Sequence, residues 1–231
     1  LVTGANVEEI KISPDSSLVI YLVYNNGYEI YSVPIDGSTP PTKLNMPLDH
    51  GGSAGESYQI SADSSRVVYT ARQDTQNIYE LYSVAIDGSA QPTKLNGTLV
   101  SGGSVWRNFQ ISVDSSLVVY IANQDNQAIY ELYSVSIDGS TPPTKVNGML
   151  VSGGGVWAFE VSADSSQVVY RADQDTQYVT ELYSAPIDGS AAPTKLNGTL
   201  ASGGGVWNFE VSNDSSQVVY RADQDTQYVT E

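Results

Sequence analysis

The sequence predicts an all-β protein, a β-propeller of four-stranded antiparallel blades with about five blades, the last one incomplete. The first observation behind this prediction is a repeat, because an Asp-Ser-Ser element recurs every 48 to 51 residues, at Asp15, Asp63, Asp114, Asp164 and Asp214. The second is that each repeat holds short runs of alternating apolar and polar residues, separated by turn-forming residues and without a helical pattern. Four antiparallel strands in a repeated unit of about 50 residues are typical of a β-propeller.

The fourth repeat shows its four strands most clearly. They are predicted at residues 156–162, 167–172, 178–187 and 194–197, and are named A to D. In strand A, Trp157, Phe159 and Val161 are predicted to share one face because side chains alternate along a strand. Asp164 and the serines after it predict a tight turn between A and B, since such short polar side chains hydrogen-bond to nearby backbone.

The five repeats predict one domain over residues 1–231, with blades at about 5–48, 56–99, 105–150, 156–200 and 206–231. In blade 1, Asn25-Asn26-Gly27 predicts a tight hairpin between strands B and C. Blades 1 and 2 carry Glu8 and Gly55 where later blades have Trp. The last repeat ends where its third strand should continue. Three arrangements fit: a five-bladed ring with a two-stranded last blade, a fragment of a longer propeller, or an open sheet edge that self-associates or pairs with another chain.

A family resemblance rests on five segments of the first repeat. These are Ser13-Pro14-Asp15-Ser16-Ser17, the apolar run 18–21, Glu29-Ile30-Tyr31-Ser32, Ile35-Asp36-Gly37 and Lys43-Leu44. In order and spacing they resemble the TolB-type (PD40, WD40-like) propeller repeat, four times in full and once in part. The Gly that usually follows the aspartate is a serine here, at Ser16, Ser64, Ser115, Ser165 and Ser215. The resemblance implies a docking or ligand-binding platform, often periplasmic or extracellular and sometimes attached to a peptidase, and it brings no catalytic residue.

Composition narrows the possible partners and chemistry. The chain has 10 Lys and Arg against 26 Asp and Glu, a net charge of −16 that repels nucleic acid and anionic membrane surfaces. No segment has the length and hydropathy of a membrane span, so no membrane insertion is expected. The chain has no cysteine and one histidine, His50, so the common catalytic bases and nucleophiles are almost absent. The near absence of such groups predicts a protein that is not an enzyme. The N-terminus looks processed or truncated, and together with the TolB-type resemblance this implies an extracellular or periplasmic location.

The connections from D to A and from B to C are expected on one face of the propeller, where glycines, aromatic residues and acids collect. The candidate ligand-binding residues on this loop face are Trp106, Trp157, Trp207, Asp125, Asp175 and Asp225. Two interpretations of the tryptophans stay open at this point. They either line a binding site or pack between neighbouring blades as part of the core.

The same loops hold two Asp-x-Asp pairs. The candidate calcium ligands are Asp173 with Asp175 and Asp223 with Asp225, because calcium prefers carboxylate and other oxygen ligands. The alternative is that these aspartates cap turns or pair with Arg171 or Arg221. No other cofactor is expected.

Three functional hypotheses follow from the sequence. The first is a non-enzymatic binding or scaffolding propeller that recognises a protein partner or another ligand through its loop face. The second is an accessory propeller cut from a larger secreted enzyme such as a peptidase. The third is a lectin-like module that binds a glycan in one shallow pocket per blade.

Overall fold

The computed structural model describes residues 6–48 and 52–224 of the chain. In this part, the regular secondary structure consists entirely of β-strands, which form four four-stranded antiparallel sheets and one two-stranded sheet. No helix in the described ranges is long and apolar enough to cross a membrane. The predicted all-β fold of repeated four-stranded blades with an incomplete last blade is confirmed.

Each blade is a simple meander in which consecutive strands pair. Blade 1 comprises β1 Asn6–Ile12, β2 Leu18–Tyr24, β3 Tyr28–Pro34 and β4 Thr42–Lys43. Blade 2 comprises β5 Ala54–Ile60, β6 Arg66–Ala71, β7 Glu80–Ala85 and β8 Thr93–Lys94. Blade 3 comprises β9 Val105–Ile111, β10 Leu117–Ala122, β11 Glu131–Ser136 and β12 Thr144–Lys145. Blade 4 comprises β13 Val156–Val161, β14 Gln167–Ala172, β15 Glu181–Pro186 and β16 Thr194–Lys195, and blade 5 comprises β17 Val206–Val211 and β18 Val218–Ala222.

The predicted strands of blade 4 differ from the observed ones mainly in strand C. It begins at Glu181 rather than at residue 178, because Tyr178 has a left-handed φ of 62° inside a turn. That turn is closed by a hydrogen bond from the Val179 amide to the Thr176 carbonyl, 3.2 Å long. A left-handed residue interrupts the extended backbone that a ladder requires. In blade 1 the predicted hairpin is present, with Tyr24 paired to Tyr28 across Asn25-Asn26-Gly27.

A β-bulge near the start of strand A changes the predicted face of the tryptophan. In blade 4, Val156 pairs with Ala172 and Ala158 pairs with Arg171, so Trp157 is the extra residue of the bulge. An extra residue shifts the alternation of side chains between the two faces of a strand. Phe159 therefore packs towards blade 3 while Trp157 faces blade 5, and the predicted shared face of these two residues is wrong.

The core lies between consecutive blades. In the junction of blades 3 and 4, Val119, Ile121 and Leu132 of blade 3 pack on the buried Phe159 and Tyr170 of blade 4. Corresponding clusters fill the junctions of blades 1 with 2 and 2 with 3. Burial of these apolar side chains contributes about 25 cal/mol per Å² of apolar surface removed from water, so each blade depends on its neighbours for stability.

The serine that follows each turn aspartate has a structural role. Its φ lies between 59° and 62° in all five repeats, a conformation that glycine adopts at the lowest cost. The serine hydroxyl compensates for this cost by linking neighbouring blades. The amide of Asp114 donates to Ser165 Oγ of the next blade at 3.0 Å, and the equivalent bonds join blade 1 to 2, 2 to 3 and 4 to 5.

Candidate binding cleft

The D to A connection of one blade packs against the B to C loop of the next blade, which builds the loop face. The amide of Ala201 donates to the carbonyl of Asp223 at 3.0 Å, and Val100 bonds Gln124 in the same way. Glycine is needed where these loops approach each other, because a Cβ at Gly204 would lie 2.7 Å from the Asp223 carbonyl oxygen. The two loops therefore form one closely packed layer.

A cleft with a volume of about 620 Å³ opens on this face between blades 4 and 5. One wall comes from strands and the B to C loop of blade 4, and the other from the connection into blade 5. The residues that line the cleft are Trp157, Arg171, Asp173, Tyr178, Thr180, Gly203, Gly204, Gly205, Val206 and Trp207. Its volume lies within the range of about 300–1,000 Å³ that is usual for ligand sites.

Three aromatic side chains of the cleft are accessible to solvent. Trp157 is 41% exposed and Trp207 is 52% exposed, while Tyr178 is exposed over most of its surface. Large aromatic rings left in water lose the favourable burial that they obtain in a core. Exposed aromatic residues that converge on one concave surface are therefore typical of a binding site.

A buried carboxylate fixes one of these rings. Asp173 lies almost fully buried and its Oδ1 accepts hydrogen bonds from Trp157 Nε1 at 3.1 Å and from Thr180 Oγ1 at 2.8 Å. The bond from Nε1 orients the Trp157 indole in the wall of the cleft, and the bond from Thr180 holds the carboxylate that accepts it. A ring held in this way loses little conformational entropy when a ligand binds.

Arg171 crosses from blade 4 to blade 5 and supplies the positive charge of the cleft. Its Nη1 donates to the carbonyl oxygens of Val206, at 3.1 Å, and of Trp207. Burial lowers the pKa of its guanidinium. Among the described residues Arg171 forms no ion pair with a carboxylate, so the alternative that it pairs with Asp173 or Asp175 is wrong.

The repeat explains why the cleft opens here and not one blade earlier. Trp106 occupies in blade 3 the position of Trp157 in blade 4, and its ring packs on Tyr130 with centroids 4.7 Å apart. The residue equivalent to Tyr130 in blade 4 is Thr180. We call the space between two neighbouring blades on the loop face a wedge. Trp106 and Tyr130 fill the wedge between blades 3 and 4, whereas the smaller threonine leaves the wedge between blades 4 and 5 open.

Solved structures with the same arrangement of blades identify the fold of this chain. The TolB protein of Agrobacterium tumefaciens superposes with a TM-score of 0.54 at 18% identity, over 97% of this chain and 73% of that chain. Dipeptidyl peptidase 4 of Porphyromonas gingivalis has a TM-score of 0.68 at 12% identity, over 92% of this chain and 33% of that one. This chain has the TolB-like β-propeller fold.

A third similar structure, from a study of two prolyl endopeptidases, has a TM-score of 0.60 at 10% identity and covers 94% of this chain. The match covers only about a third of each peptidase chain, 32% of the prolyl endopeptidase and 33% of the dipeptidyl peptidase. This chain is therefore similar to the propeller domains of peptidases. No protein-family model matches the chain, and no curated protein matches its sequence.

The TolB-like propeller brings only some of the predicted site residues together. Trp157, Trp207 and Asp173 line the cleft. Trp106 is part of the packing between blades 3 and 4, so the core interpretation holds for it and not for the other two tryptophans. Asp225 and His50 lie outside the described residues.

Asp125 and Asp175 belong to a different structure, an ion-pair cluster that recurs at the rim of the blades. Lys195 Nζ lies 2.6 Å from Asp175 Oδ2 and 2.7 Å from Glu181 Oε1, and Lys145 pairs with Asp125 and Glu131 in the same way. Burial by itself lowers the pKa of Lys195, but its hydrogen bonds and charge interactions with both carboxylates raise it overall.

The candidate calcium ligands of blade 4, Asp173 and Asp175, each bind other groups of the chain. Asp175 is neutralised by Lys195, while Asp173 accepts its hydrogen bonds from Trp157 and Thr180, so the two carboxylates do not share a ligand position. Asp223, the equivalent of Asp173 in blade 5, is also buried. Among the described residues no group of three or more His, Cys, Asp or Glu side chains is arranged to hold a metal ion.

The sequence interpretation missed three contributors to the cleft. Arg171 was considered only as a partner of aspartates, and Tyr178 and Thr180 were assigned to strand C without a role. One signal was available in the repeat alignment, because the position of Thr180 holds Tyr79 in blade 2 and Tyr130 in blade 3. The loss of a large side chain at one repeat position marks a place where the packing changes.

Proposed function

We propose that this propeller is a non-enzymatic binding protein that holds a segment of a protein partner in the cleft between blades 4 and 5. One observation carries the proposal. The wedge that Trp106 and Tyr130 fill between blades 3 and 4 is open between blades 4 and 5, and its aromatic walls are retained and exposed.

The chemistry of the cleft defines its ligand. Trp157, Trp207 and Tyr178 favour an apolar or aromatic side chain, because burial of such groups against exposed rings supplies most of the binding energy at aromatic sites. The backbone of the glycine connection 203–205 lines the cleft without side chains, so an extended peptide can approach it closely. With a net charge of −16, the protein disfavours strongly anionic partners, including nucleic acid.

A glycan is the second candidate ligand. The indole of Trp157 is a rigid flat surface beside a buried carboxylate, an arrangement suited to the apolar face of a sugar ring. The cleft itself is not repeated between blades 3 and 4, where the equivalent wedge is filled. Shallower pockets recur at equivalent positions in blades 2 and 4, beside Lys94 and Lys195.

The similarity to peptidase propellers supports a further possibility, that this propeller serves as the accessory domain of a longer enzyme. The cleft would then select what reaches that enzyme. The TolB-type resemblance of the repeats supports an extracellular or periplasmic location, which fractionation of the source cells tests.

The binding proposal is tested by filling the cleft. Thr180→Tyr recreates the filled wedge while both exposed tryptophans are kept, and Thr141→Tyr, on an exposed turn of the opposite face, is the matched control. A displayed peptide library and an array of neutral oligosaccharides are the probes. We expect peptides that bind the wild type and the control but lose at least tenfold in affinity for Thr180→Tyr.

The arms of this experiment separate the candidates. Binding to the oligosaccharide array, with no binding to the peptide library, would identify the ligand as a glycan instead of a peptide. Binding that is equal in Thr180→Tyr and the wild type would place recognition elsewhere and overturn the cleft proposal. Quenching of tryptophan fluorescence by acrylamide gives a readout without ligand, because a filled wedge should lower the accessibility of Trp157.

A further inference from the structure

Blade 1 presents an apolar sheet face that no described residue covers. Ile10 is 63% exposed, and Val7, Ile12 and Ile35 on the same face are also exposed. In blade 2 the residue equivalent to Ile10 is Tyr58, which is 2% exposed because blade 1 packs against it. The open face of blade 1 is therefore the surface that blades 2, 3 and 4 each bury against the preceding blade.

Blade 5 presents the opposite half of such a junction. Val219 is 71% exposed, whereas its equivalent in blade 4, Val169, is buried because blade 5 packs against it. The exposed surface around Val219 includes Asn208, Glu210 and Arg221, whereas Phe209 and Tyr220 point to the other side and pack against blade 4. The two ends of the described chain thus carry a complete blade 1 surface and the strand A and B part of the surface that packs on it in the repeated interface.

Polar contacts in the existing junctions specify how these surfaces fit. One strand A side chain of each blade reaches the strand A backbone of the next blade. Gln59 accepts from the Ile111 amide at 3.2 Å, Gln110 from the Val161 amide at 2.8 Å and Glu160 from the Val211 amide at 3.2 Å. The turn aspartate amide and the serine hydroxyl of the next blade form the second contact of every junction.

Each open surface keeps one half of both contacts. Blade 5 has Glu210, the equivalent of Glu160, and the amide of Asp214. Blade 1 has the amide of Ile12, the equivalent of Val161, and the hydroxyl of Ser16. Within the described ranges neither Glu210 nor Ser16 Oγ has a hydrogen-bond partner, so acceptors and donors on the two surfaces are matched in kind and in register.

We infer that blade 5 of one copy packs on blade 1 of a second copy and repeats the junction that joins neighbouring blades within the chain. The interface is head-to-tail, and it uses two different surfaces of the same chain. Such an interface forms a closed ring where the rotation between copies permits closure, and a longer assembly where it does not. This inference concerns the ends of the blade array and does not depend on the binding cleft.

The test uses variants that block one surface at a time. Ile10→Asp blocks blade 1 and Val219→Asp blocks blade 5, while Val113→Asp, at an apolar side chain 58% exposed away from both surfaces, is the matched control. All three side chains are exposed in the single chain, so the fold should persist, which circular dichroism and thermal melting check. Ile35→Asp is a second blade 1 variant.

The measurement is the weight-average mass by analytical ultracentrifugation over a range of concentrations. We expect the wild type and Val113→Asp to rise above 24.7 kDa with concentration, and each blocked variant to stay at 24.7 kDa. An equimolar mixture of Ile10→Asp and Val219→Asp should reach twice the chain mass, because each partner contributes its one intact surface.

Three results would overturn the inference. The wild type could remain at 24.7 kDa at all concentrations, which would show that the two surfaces do not bind each other. Val219→Asp could associate by itself, which would indicate pairing between two blade 1 faces. The mixture of blocked variants could remain monomeric while the wild type associates, which would place the interface elsewhere.

Discussion

The serine hydroxyls between blades provide a prediction whose size follows from the structure. Ser115 is buried, its φ is 62°, and its Oγ accepts a hydrogen bond from the Asp63 amide of the preceding blade at 3.1 Å. Ser115→Ala keeps the left-handed backbone and removes the acceptor. A typical hydrogen bond contributes about 0.5–1.5 kcal/mol to the free energy of unfolding, so we expect a loss of about 1 kcal/mol. In a domain of this size that lowers Tm by about 2–4 °C.

Two further variants separate the hydrogen bond from the backbone conformation. Ser115→Gly also loses the acceptor, but glycine adopts the left-handed backbone without the cost of about 1 kcal/mol that other residues incur. The two effects offset each other, so the stability of this variant should stay close to that of the wild type. Ser16→Ala is the matched control, because Ser16 has a φ of 61° and its hydroxyl has no partner in the described chain. Urea denaturation at concentrations where the chain is monomeric measures all three. Equal losses for Ser115→Ala and Ser16→Ala would refute a stabilising bond between blades.

Three other predictions concern pH, loop packing and metals. Hydrogen bonds from neighbouring serines lower the pKa of Asp164 from 3.8 to about 2. The stabilising effect of the ionised carboxylate is therefore complete above about pH 4 and is lost as the pH falls through about 2. Tm should drop across this window, and it should drop less steeply in Asp164→Asn. Gly204→Ala should destabilise by about 1–3 kcal/mol in chemical denaturation, because its Cβ would clash with backbone, while the adjacent Gly205→Ala has no contact shorter than 3.6 Å and should be tolerated. Calcium or EDTA should leave Tm unchanged, since Asp173 and Asp175 are bound to other groups; a rise of several degrees with calcium would contradict this assignment.

The strands and turns were predictable because their signals are local. The bounds of strand B in blade 4 are predictable from the sequence, since its consecutive β-branched and aromatic residues are enclosed by turn residues on both sides. The start of strand C was not, because it depends on the left-handed φ of Tyr178, and such a conformation at a bulky residue has no clear sequence signal.

The candidate site was predictable only in part. The sequence indicated the face on which the cleft opens, because the order of strands places the B to C and D to A connections together. It did not distinguish Trp106 from Trp157, since both follow a glycine-rich segment and a valine at the start of strand A, although blade 3 has one more residue between its tryptophan and Phe109. Their environments differ through the side chains opposite them, Tyr130 in one case and Thr180 in the other.

By itself the sequence determined the repeat, the four-stranded blades and the aspartate turns, because periodicity and turn chemistry act over a few neighbouring residues. Only the tertiary structure decided which aromatic residues are free and which acids are neutralised. A one-residue bulge turns Trp157 towards blade 5, and Lys195 reaches Asp175 across the blade. These outcomes depend on the packing of side chains that are distant along the chain, and the cleft between blades 4 and 5 opens where Thr180 replaces the tyrosine of the preceding blades.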